Sequence, residues 1–319
     1  MKALVTGGAG FVGSHVVDRL AADGREVVVL DDLSTGSERN LARHGSEVQL
    51  FRGSVMDEDL VRRLVGEVDV VYHLAAVVGV QNILRDPLTA LRVNSRGAEN
   101  VLDAASDSGA KVVLASTSEV NGKSDRLPMQ EDADRVLGST TVPRWGYATA
   151  KALDEHFALA HATQGLRVVC LRYFNSFGPR MESRGYGSVV ATFLRQALSG
   201  KPLTVHGDGS QSRCFTFVDD TARATVLAGT LGEADGQVLN VGADTPITVL
   251  DLARAVVALV GSSSSIVHVD PRERYGHDFE DTPRRQPDNS RIRQLLGWTP
   301  EISMEAGLIT TMKWEQDHE

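Results

Sequence analysis

One feature constrains this chain more than any other. In Leu4-Val5-Thr6-Gly7-Gly8-Ala9-Gly10-Phe11-Val12-Gly13, glycines spaced G-x-x-G-x-x-G join a short aliphatic run to a helical stretch. A turn of this kind must bend sharply, let backbone approach a pyrophosphate and let the helix pack close to the strand, and glycine meets all three demands. The helix N-terminus then offers N–H groups and partial positive charge to phosphate oxygens. A tight turn alone would also explain the glycines, so the context decides. The next aliphatic run, 27–30, ends in Asp31-Asp32, and Asp31 lies 18 residues beyond Gly13. A carboxylate there accepts hydrogen bonds from both adenosine ribose hydroxyls and repels a 2′-phosphate. Arg39 is the nearest arginine downstream. Strand, turn, helix, strand and acid together predict a dinucleotide site, with NAD favoured over NADP.

The rest of the first half continues the alternation. Residues 2–5, 26–30, 48–51, 68–73, 111–115 and 167–173 are β-branched or aliphatic runs, separated by helical stretches at 12–22, 57–65, 87–108 and 147–164. Such spacing implies right-handed crossovers and a parallel sheet covered on both faces. The expected fold is α/β, a Rossmann-type doubly wound parallel sheet with a smaller C-terminal α/β substrate lobe. Residues 1–174 form the expected NAD-binding domain, completed by segments near 213–243, and 175–319 form mainly the substrate lobe. Within that lobe, 175–188 reads as loop, 189–199 and 250–260 as helices, 203–209 as a strand and turn, 236–241 as a strand returning to the sheet, and a last helix starts near Met304.

Composition narrows the class. Of 319 residues, 42% are hydrophobic and 24% charged, ordinary for a globular chain. The net charge of −9 argues against a nucleic-acid binder, though local arginines and helix N-termini suffice for a phosphorylated small molecule. The two cysteines, Cys170 and Cys214, make neither a disulfide framework nor a metal-ligand pattern. No apolar run is long enough to cross a membrane, and the N-terminus reads as a first strand. Reduced thiols, no metal and a cytoplasmic protein are expected.

A second constellation carries chemistry. Tyr147 and Lys151 stand four apart at a helix start, on one face. An ammonium beside a phenol favours the phenolate, so the tyrosine can act as general base. The buried run 112–115 turns polar at Ser116-Thr117-Ser118-Glu119, and ligands bind at the carboxyl ends of strands in open parallel sheets. Thr117 is therefore placed to share the proton of a substrate hydroxyl with Tyr147.

These segments resemble the extended short-chain dehydrogenases/reductases. The glycine motif, His73-Leu74-Ala75-Ala76, Val93-Asn94-Ser95-Arg96-Gly97, Ser116-Thr117-Ser118-Glu119, the Tyr-x-x-x-Lys at 147–151 and Arg172-Tyr173-Phe174-Asn175 are similar to the nucleotide-sugar epimerase, dehydratase and decarboxylase group. Residues 202–209, Arg213, Asn240-Val241-Gly242, Arg285-Gln286-Pro287-Asp288 and Leu296-Gly297-Trp298 extend the resemblance over nearly the whole chain. It implies NAD held by Gly7, Gly10, Phe11, Val12, Gly13, Asp31, Asp32, Leu74, Ala75, Ala76, Asn94 and Lys151. It implies Tyr147 as base with Thr117 as its partner. It also implies a UDP-sugar site drawn from Ser118, Glu119, Asn175, Arg184, Val189, Thr204, His206, Arg213 and Arg285, arginines being suited to phosphate oxygens. A homodimer through the helices 95–108 and 147–164 is the family's habit. Asn121, where the family often has tyrosine, and Ser54, where an acid is common, depart from the pattern.

The resemblance implies a shared first step, oxidation of the sugar 4-hydroxyl to a ketone. The fate of that ketone distinguishes the classes. The related 4,6-dehydratases carry Asp-Glu after the catalytic threonine, whereas this chain has Ser118-Glu119, which disfavours dehydration. Thr-Ser-Glu and Arg-x-Pro-Asp both occur in UDP-glucuronate decarboxylases, but Ala148-Thr149-Ala150 departs from the acidic residues those enzymes tend to carry between Tyr and Lys. The segment Arg180-Met181-Glu182-Ser183-Arg184 offers positive charge for a substrate carboxylate. The sequence thus leans to 4-epimerisation of UDP-glucuronic acid, or of UDP-glucose, with UDP-glucuronic acid decarboxylation as the alternative. A non-catalytic NAD-binding sensor is a remote third, since the catalytic Tyr and Lys are both retained.

Overall fold

Alternating side chains build the central sheet. In β1 (Lys2–Thr6), β2 (Glu26–Asp31), β3 (Val48–Arg52), β4 (Val70–His73), β5 (Lys111–Thr117), β6 (Val168–Tyr173) and β11 (Val238–Val241), neighbouring residues face opposite sides of the sheet. Thus Val5, Val29, Tyr72, Val113 and Leu171 join one buried cluster, and Leu4, Val28, Val71, Val112 and Cys170 join another on the opposite face. Both faces are apolar, as a sheet covered on both sides requires. The computed structural model describes residues 1–181, 188–275 and 280–318.

The strands run parallel in the order β11-β6-β5-β4-β1-β2-β3. This is a Rossmann-type doubly wound α/β fold, and its order reverses between β1 and β4. One face is covered by α1 (Phe11–Ala22) and by α7 (Val218–Thr230), which packs against it. The other is covered by α2 (Glu58–Val65), α4 (Pro87–Ser108) and α5 (Arg144–Thr163). A short helix, α3 (Val80–Arg85), precedes α4.

Local signals set the helix ends. The Asp57 carboxylate accepts from the Leu60 N–H at 3.1 Å, and Asp86 does the same for Thr89 at 3.1 Å with Pro87 opening the helix. Gly109 ends α4 at φ +78, where a side chain would be strained. Helix α7 has no counterpart in the sequence reading. Its Thr221, Thr225 and Val226 are β-branched and carry little helical signal, but burial against α1 forms the helix regardless.

Beyond Phe174 the chain builds a second layer. It comprises β7 (Ser176–Phe177), α6 (Val189–Leu198), β8 (Leu203–His206), β9 (Ser212–Arg213), β10 (Thr216–Phe217), β12 (Ile247–Thr248), α8 (Val249–Val260), β13 (Ile266–Val269), α9 (Pro271–Tyr275), β14 (Arg284–Arg285) and α11 (Met304–His318), while α10 (Ser290–Leu296) returns to the central sheet against β11 and α7. Phe177, Phe193, Leu203, Phe217, Leu252 and Leu308 form its core. Strand β8 pairs with β13, and β9 lies between β12 and β14. Register places Arg285 directly beside Arg213.

Candidate active site

The carboxyl ends of the sheet strands open into a cavity of about 900 Å³ whose opposite wall comes from the second layer. It lies at the switch point of the strand order, where doubly wound sheets bind their ligands. Of the residues singled out in the sequence, Gly7, Gly10, Phe11, Val12, Gly13, Asp31, Asp32, Leu74, Ala75, Ala76, Thr117, Ser118, Glu119, Tyr147, Lys151, Asn175, Val189, Thr204, His206, Arg213 and Arg285 line this one space. Arg184 lies outside the described residues. Asn94 lies beside the cavity, where its buried side chain accepts from the Val77 N–H at 2.7 Å and donates to the Val77 carbonyl at 3.1 Å. It fixes the loop after β4, whose Val77 and Val78 do line the wall.

At one end the glycine turn is closed by contact. A Cβ on Gly13 would lie 2.0 Å from the Gly7 carbonyl oxygen, and Gly7 itself sits at φ +70 against Ala75. Helix α1 begins at Gly10 with no side chain capping it, so its first turn presents backbone N–H groups at the cavity wall. Asp31 is held in place by the N–H groups of Ala9, at 2.9 Å, and Leu33, at 2.8 Å. Burial pushes its carboxyl up from the ordinary carboxylate value, against the pull of those two bonds. The cavity wall around Asp31 and Asp32 is completed by Ser34 and Thr35, and the basic side chains among the described lining residues belong to later segments. That donor set fits an unphosphorylated adenosine ribose, and the turn fits a pyrophosphate.

At the end of β5, Thr117 closes the strand and its Oγ1 accepts from the Glu119 N–H at 3.2 Å, starting the tight turn 118–121. Tyr147 and Lys151 project from the first turns of α5. Lys151 is buried and donates to Asp154 at 3.1 Å, one turn further along. His73, at the end of β4, is pushed down to about 3 by burial and by Lys151, so it is neutral; its Nδ1 pairs with Thr6 Oγ1 at 2.8 Å. Below this, Glu155 ties Ser116 at 2.5 Å to Arg172 at 2.9 and 2.8 Å, locking α5 onto β5 and β6.

Between them stands an alternating cluster of charge. Arg285 donates to Glu119 at 3.3 Å, Arg144 lies 3.8 Å from the same carboxylate and 3.3 Å from Asp281, and Arg213 grips both Asp281 oxygens at 3.0 Å. All three arginines are less than a tenth exposed. Burial alone pushes the Glu119 carboxyl up, but Arg285 and Arg144 outweigh it and hold the group below the ordinary carboxylate value. Burial, with Arg285 and Arg144 alongside, brings Arg213 down to about 10. Asn175 completes the wall at φ +37, unusual for a residue with a side chain, and its buried Oδ1 has no hydrogen-bond partner among the described residues.

Sequence reading overlooked Arg144 and Asp281. The first had a signal, standing three residues before Tyr147 and hence on the same helix face. The second had none, because its partners are 68 and 137 residues away.

Residues 3–242 match the NAD dependent epimerase/dehydratase family. The chain is 38% identical over 318 residues, spanning 100% of it and 98% of the relative, to the UDP-N-acetyl-alpha-D-glucosaminuronate decarboxylase of Bacillus cytotoxicus. Its structure is similar to that of a UDP-glucose 4-epimerase from Thermotoga maritima with UDP-glucose, at TM-score 0.91 and 32% identity, covering 100% and 99% of the two chains. It is also similar to a UDP-glucuronic acid 4-epimerase from Bacillus cereus in complex with UDP-glucuronic acid and NAD, at TM-score 0.89 and 28% identity, covering both chains fully, 100% and 100%.

Proposed function

The chain belongs to the NAD-dependent epimerase/dehydratase family, and within it we propose that the protein decarboxylates a UDP-linked hexuronic acid. The observation that carries this reading is the Glu119 carboxylate bracketed by Arg285 and Arg144 in the same cavity wall as Tyr147. The sequence leaned to 4-epimerisation; this cluster reverses the order.

The argument is one of differential binding. A substrate carboxylate needs guanidinium partners to enter a buried site. Arginines alone would stabilise the bound carboxylate more than the transition state, in which charge moves off it, and would slow its loss. Glu119, held ionised by those arginines, offsets that grip by repelling the bound carboxylate, and the repulsion is relieved as charge moves off it.

When bound, NAD supplies a reversible two-electron acceptor for the sugar's C4. Gly7, Gly10, Gly13 and Asp31 would hold it, with Lys151 on the nicotinamide side. Tyr147 Oη takes the 4-hydroxyl proton, Thr117 sharing that hydrogen bond, and Lys151 favours the phenolate. In the resulting 4-ketone the carboxylate is β to the carbonyl. The bond from C5 to the carboxylate breaks, carbon dioxide leaves, and the electron pair moves to the C4 oxygen. Tyr147, now a phenol, donates to that oxygen. A solvent proton then adds at C5, and Tyr147 returns its proton to the C4 oxygen as C4 takes back the two electrons and hydrogen it gave up, which restores the phenolate and leaves a pentose. Asn175, Val189, Thr204, His206 and Arg213 make the UDP-sugar wall in this proposal, and residues 1–174 most of the NAD wall.

Epimerisation is the second reading, favoured by the likeness to two 4-epimerase structures. Proton NMR and mass spectrometry on UDP-glucuronic acid, and on its N-acetylglucosaminuronic counterpart, decide between them. A product lighter by carbon dioxide supports decarboxylation; unchanged mass with inverted C4 supports epimerisation.

We also propose a homodimer through α4 and α5, on whose surfaces Leu88, Leu91 and Leu153 stand exposed. No helix among the described residues is long and apolar enough to cross a membrane.

A further inference from the structure

Helix α5 carries three ionisable side chains on one face, Tyr147, Lys151 and Asp154, at spacings of four and three. Burial deepens along the series: Tyr147 lines the cavity, Lys151 is 2% exposed and Asp154 is enclosed at 0%. Lys151 donates to Asp154 Oδ2 at 3.1 Å, while Oδ1 has no hydrogen-bond partner among the described residues. A carboxylate this deep ordinarily has both oxygens satisfied. A buried ion pair is also weak evidence for stability, which turns attention from the fold to the site. The neighbouring groups cannot replace Asp154 as counter-ion. Glu155 is committed to Ser116 and Arg172. His73, on β4, feels Lys151 but is neutral. Thr6 Oγ1 accepts from the Ala75 N–H at 3.3 Å and so turns its own proton to His73 Nδ1. The imidazole proton therefore sits on Nε2, a donor that offers an ammonium nothing. Cys170, on β6, is a neutral thiol pushed far up by burial. Burial raises the Asp154 carboxyl above its ordinary value, against the pull of Lys151 and with the Glu155 carboxylate adding to the rise.

We propose that Asp154 is a positioning residue for the Tyr147–Lys151 pair: it keeps the Lys151 ammonium charged, and through Lys151 it holds Tyr147 ready to lose its proton. An unpaired ammonium enclosed to this degree is costly and tends to shed its proton. A neutral amine would leave the Tyr147 phenol unassisted. Asp154 also repels a Tyr147 phenolate directly, so two effects oppose each other and distance decides. With a rise of about 1.5 Å per residue, Asp154 stands about 10 Å along the axis from Tyr147. Its contact with Lys151 is 3.1 Å, so at equal screening the grip on the ammonium outweighs the repulsion of the phenolate roughly threefold. Asp154 therefore supports the base although its own charge has the wrong sign for it. The proposal rests on the reading of Tyr147 as base with Lys151 beside it.

Titration of phenolate absorbance in the NAD-loaded protein tests it, read as the difference from Tyr147→Phe so that Tyr147 alone contributes. Asp154→Asn is expected to move the appearance of the Tyr147 phenolate to higher pH by about one unit or more. Asp154→Ser is expected to do the same, and stands in should the asparagine variant not fold. Asp154→Glu, which keeps the charge, is expected to leave the midpoint in place. An unmoved midpoint in the neutral variants would reduce Asp154 to a structural partner within α5. A midpoint moved to lower pH would mean that its charge acts on Tyr147 directly. An equal displacement in Asp154→Glu would assign the effect to packing. Each of these three results overturns the proposal. Turnover of UDP-glucuronic acid, its N-acetylglucosaminuronic counterpart and UDP-glucose is followed in parallel. Near-normal turnover in Tyr147→Phe beside a displaced midpoint would sink the base reading and leave the link from Asp154 to Tyr147 standing. Lost turnover in Tyr147→Phe beside an unmoved midpoint would do the reverse.

Discussion

Glu119 and Arg285 meet at 3.3 Å although 166 residues separate them, and the pair stands at the seam between the sheet ends and the second layer. Its electrostatics give a pH signature. Arg285 and Arg144 keep the Glu119 carboxyl below its ordinary value, so its ionised form contributes stability that is present above the unfolded carboxylate range and lost only as pH falls through the lowered folded value. Turnover that depends on ionised Glu119 is therefore expected to persist through the usual carboxylate range. Arg285→Gln removes the stronger of the two pulls and is expected to move the acid limb of kcat/KM to higher pH. An unmoved limb would take Glu119 out of the chemistry.

Tyr147→Phe is expected to lower kcat by about 10²–10⁴-fold, the usual worth of a positioned acid–base group, with NAD binding retained. Near-normal turnover in a steady-state assay would remove Tyr147 from the base role.

Asp31→Ala is expected to weaken NAD by at least tenfold and UDP far less, because Asp31 lines the glycine-turn end of the cavity and is oriented there by Ala9 and Leu33. A loss of hydrogen bonds to a charged group, about 1.5–3 kcal/mol, sets that scale. Equal weakening of both ligands, measured by calorimetry, would undercut the ribose assignment.

Gly13→Ala adds one methyl group at a point where its Cβ would lie 2.0 Å from the Gly7 oxygen. The backbone must move, so loss of NAD from the purified protein and a lowered Tm are expected together. An unchanged Tm with bound cofactor would mean the turn is softer than its geometry indicates.

Leu153→Asp, on the exposed face of α5, is expected to yield a monomer in analytical ultracentrifugation if wild type is a dimer. A wild-type monomer would end the interface proposal outright.

The sheet was legible because each of its strands writes the same alternation twice, once for each covered face. The dinucleotide end was legible for a related reason: glycine turn, helix and Asp31 are neighbours in sequence and remain neighbours in space. Helix α7 was not, because Thr221, Thr225 and Val226 say little about helix until α1 is there to pack against. The bonds by which Asn94 ties the backbone of the loop after β4 were not legible, because its partner Val77 lies 17 residues away. The reaction class was least legible. It turns on Glu119, Arg144, Asp281 and Arg285, which come from three distant stretches, and no local pattern records that they alternate in sign around one point.

The register that sets Arg285 beside Arg213 makes chain length part of the chemistry. Side chains on a strand swap faces with every residue. One residue inserted between Asp281 and Arg284 would turn Arg285 outward and leave Glu119 facing a gap, with every charge still in the sequence. Preference for a new sugar can therefore be reached here by exchanging side chains one at a time. Lengthening or shortening this crossing, the usual way surface loops diversify, would dismantle the site before it could retune it.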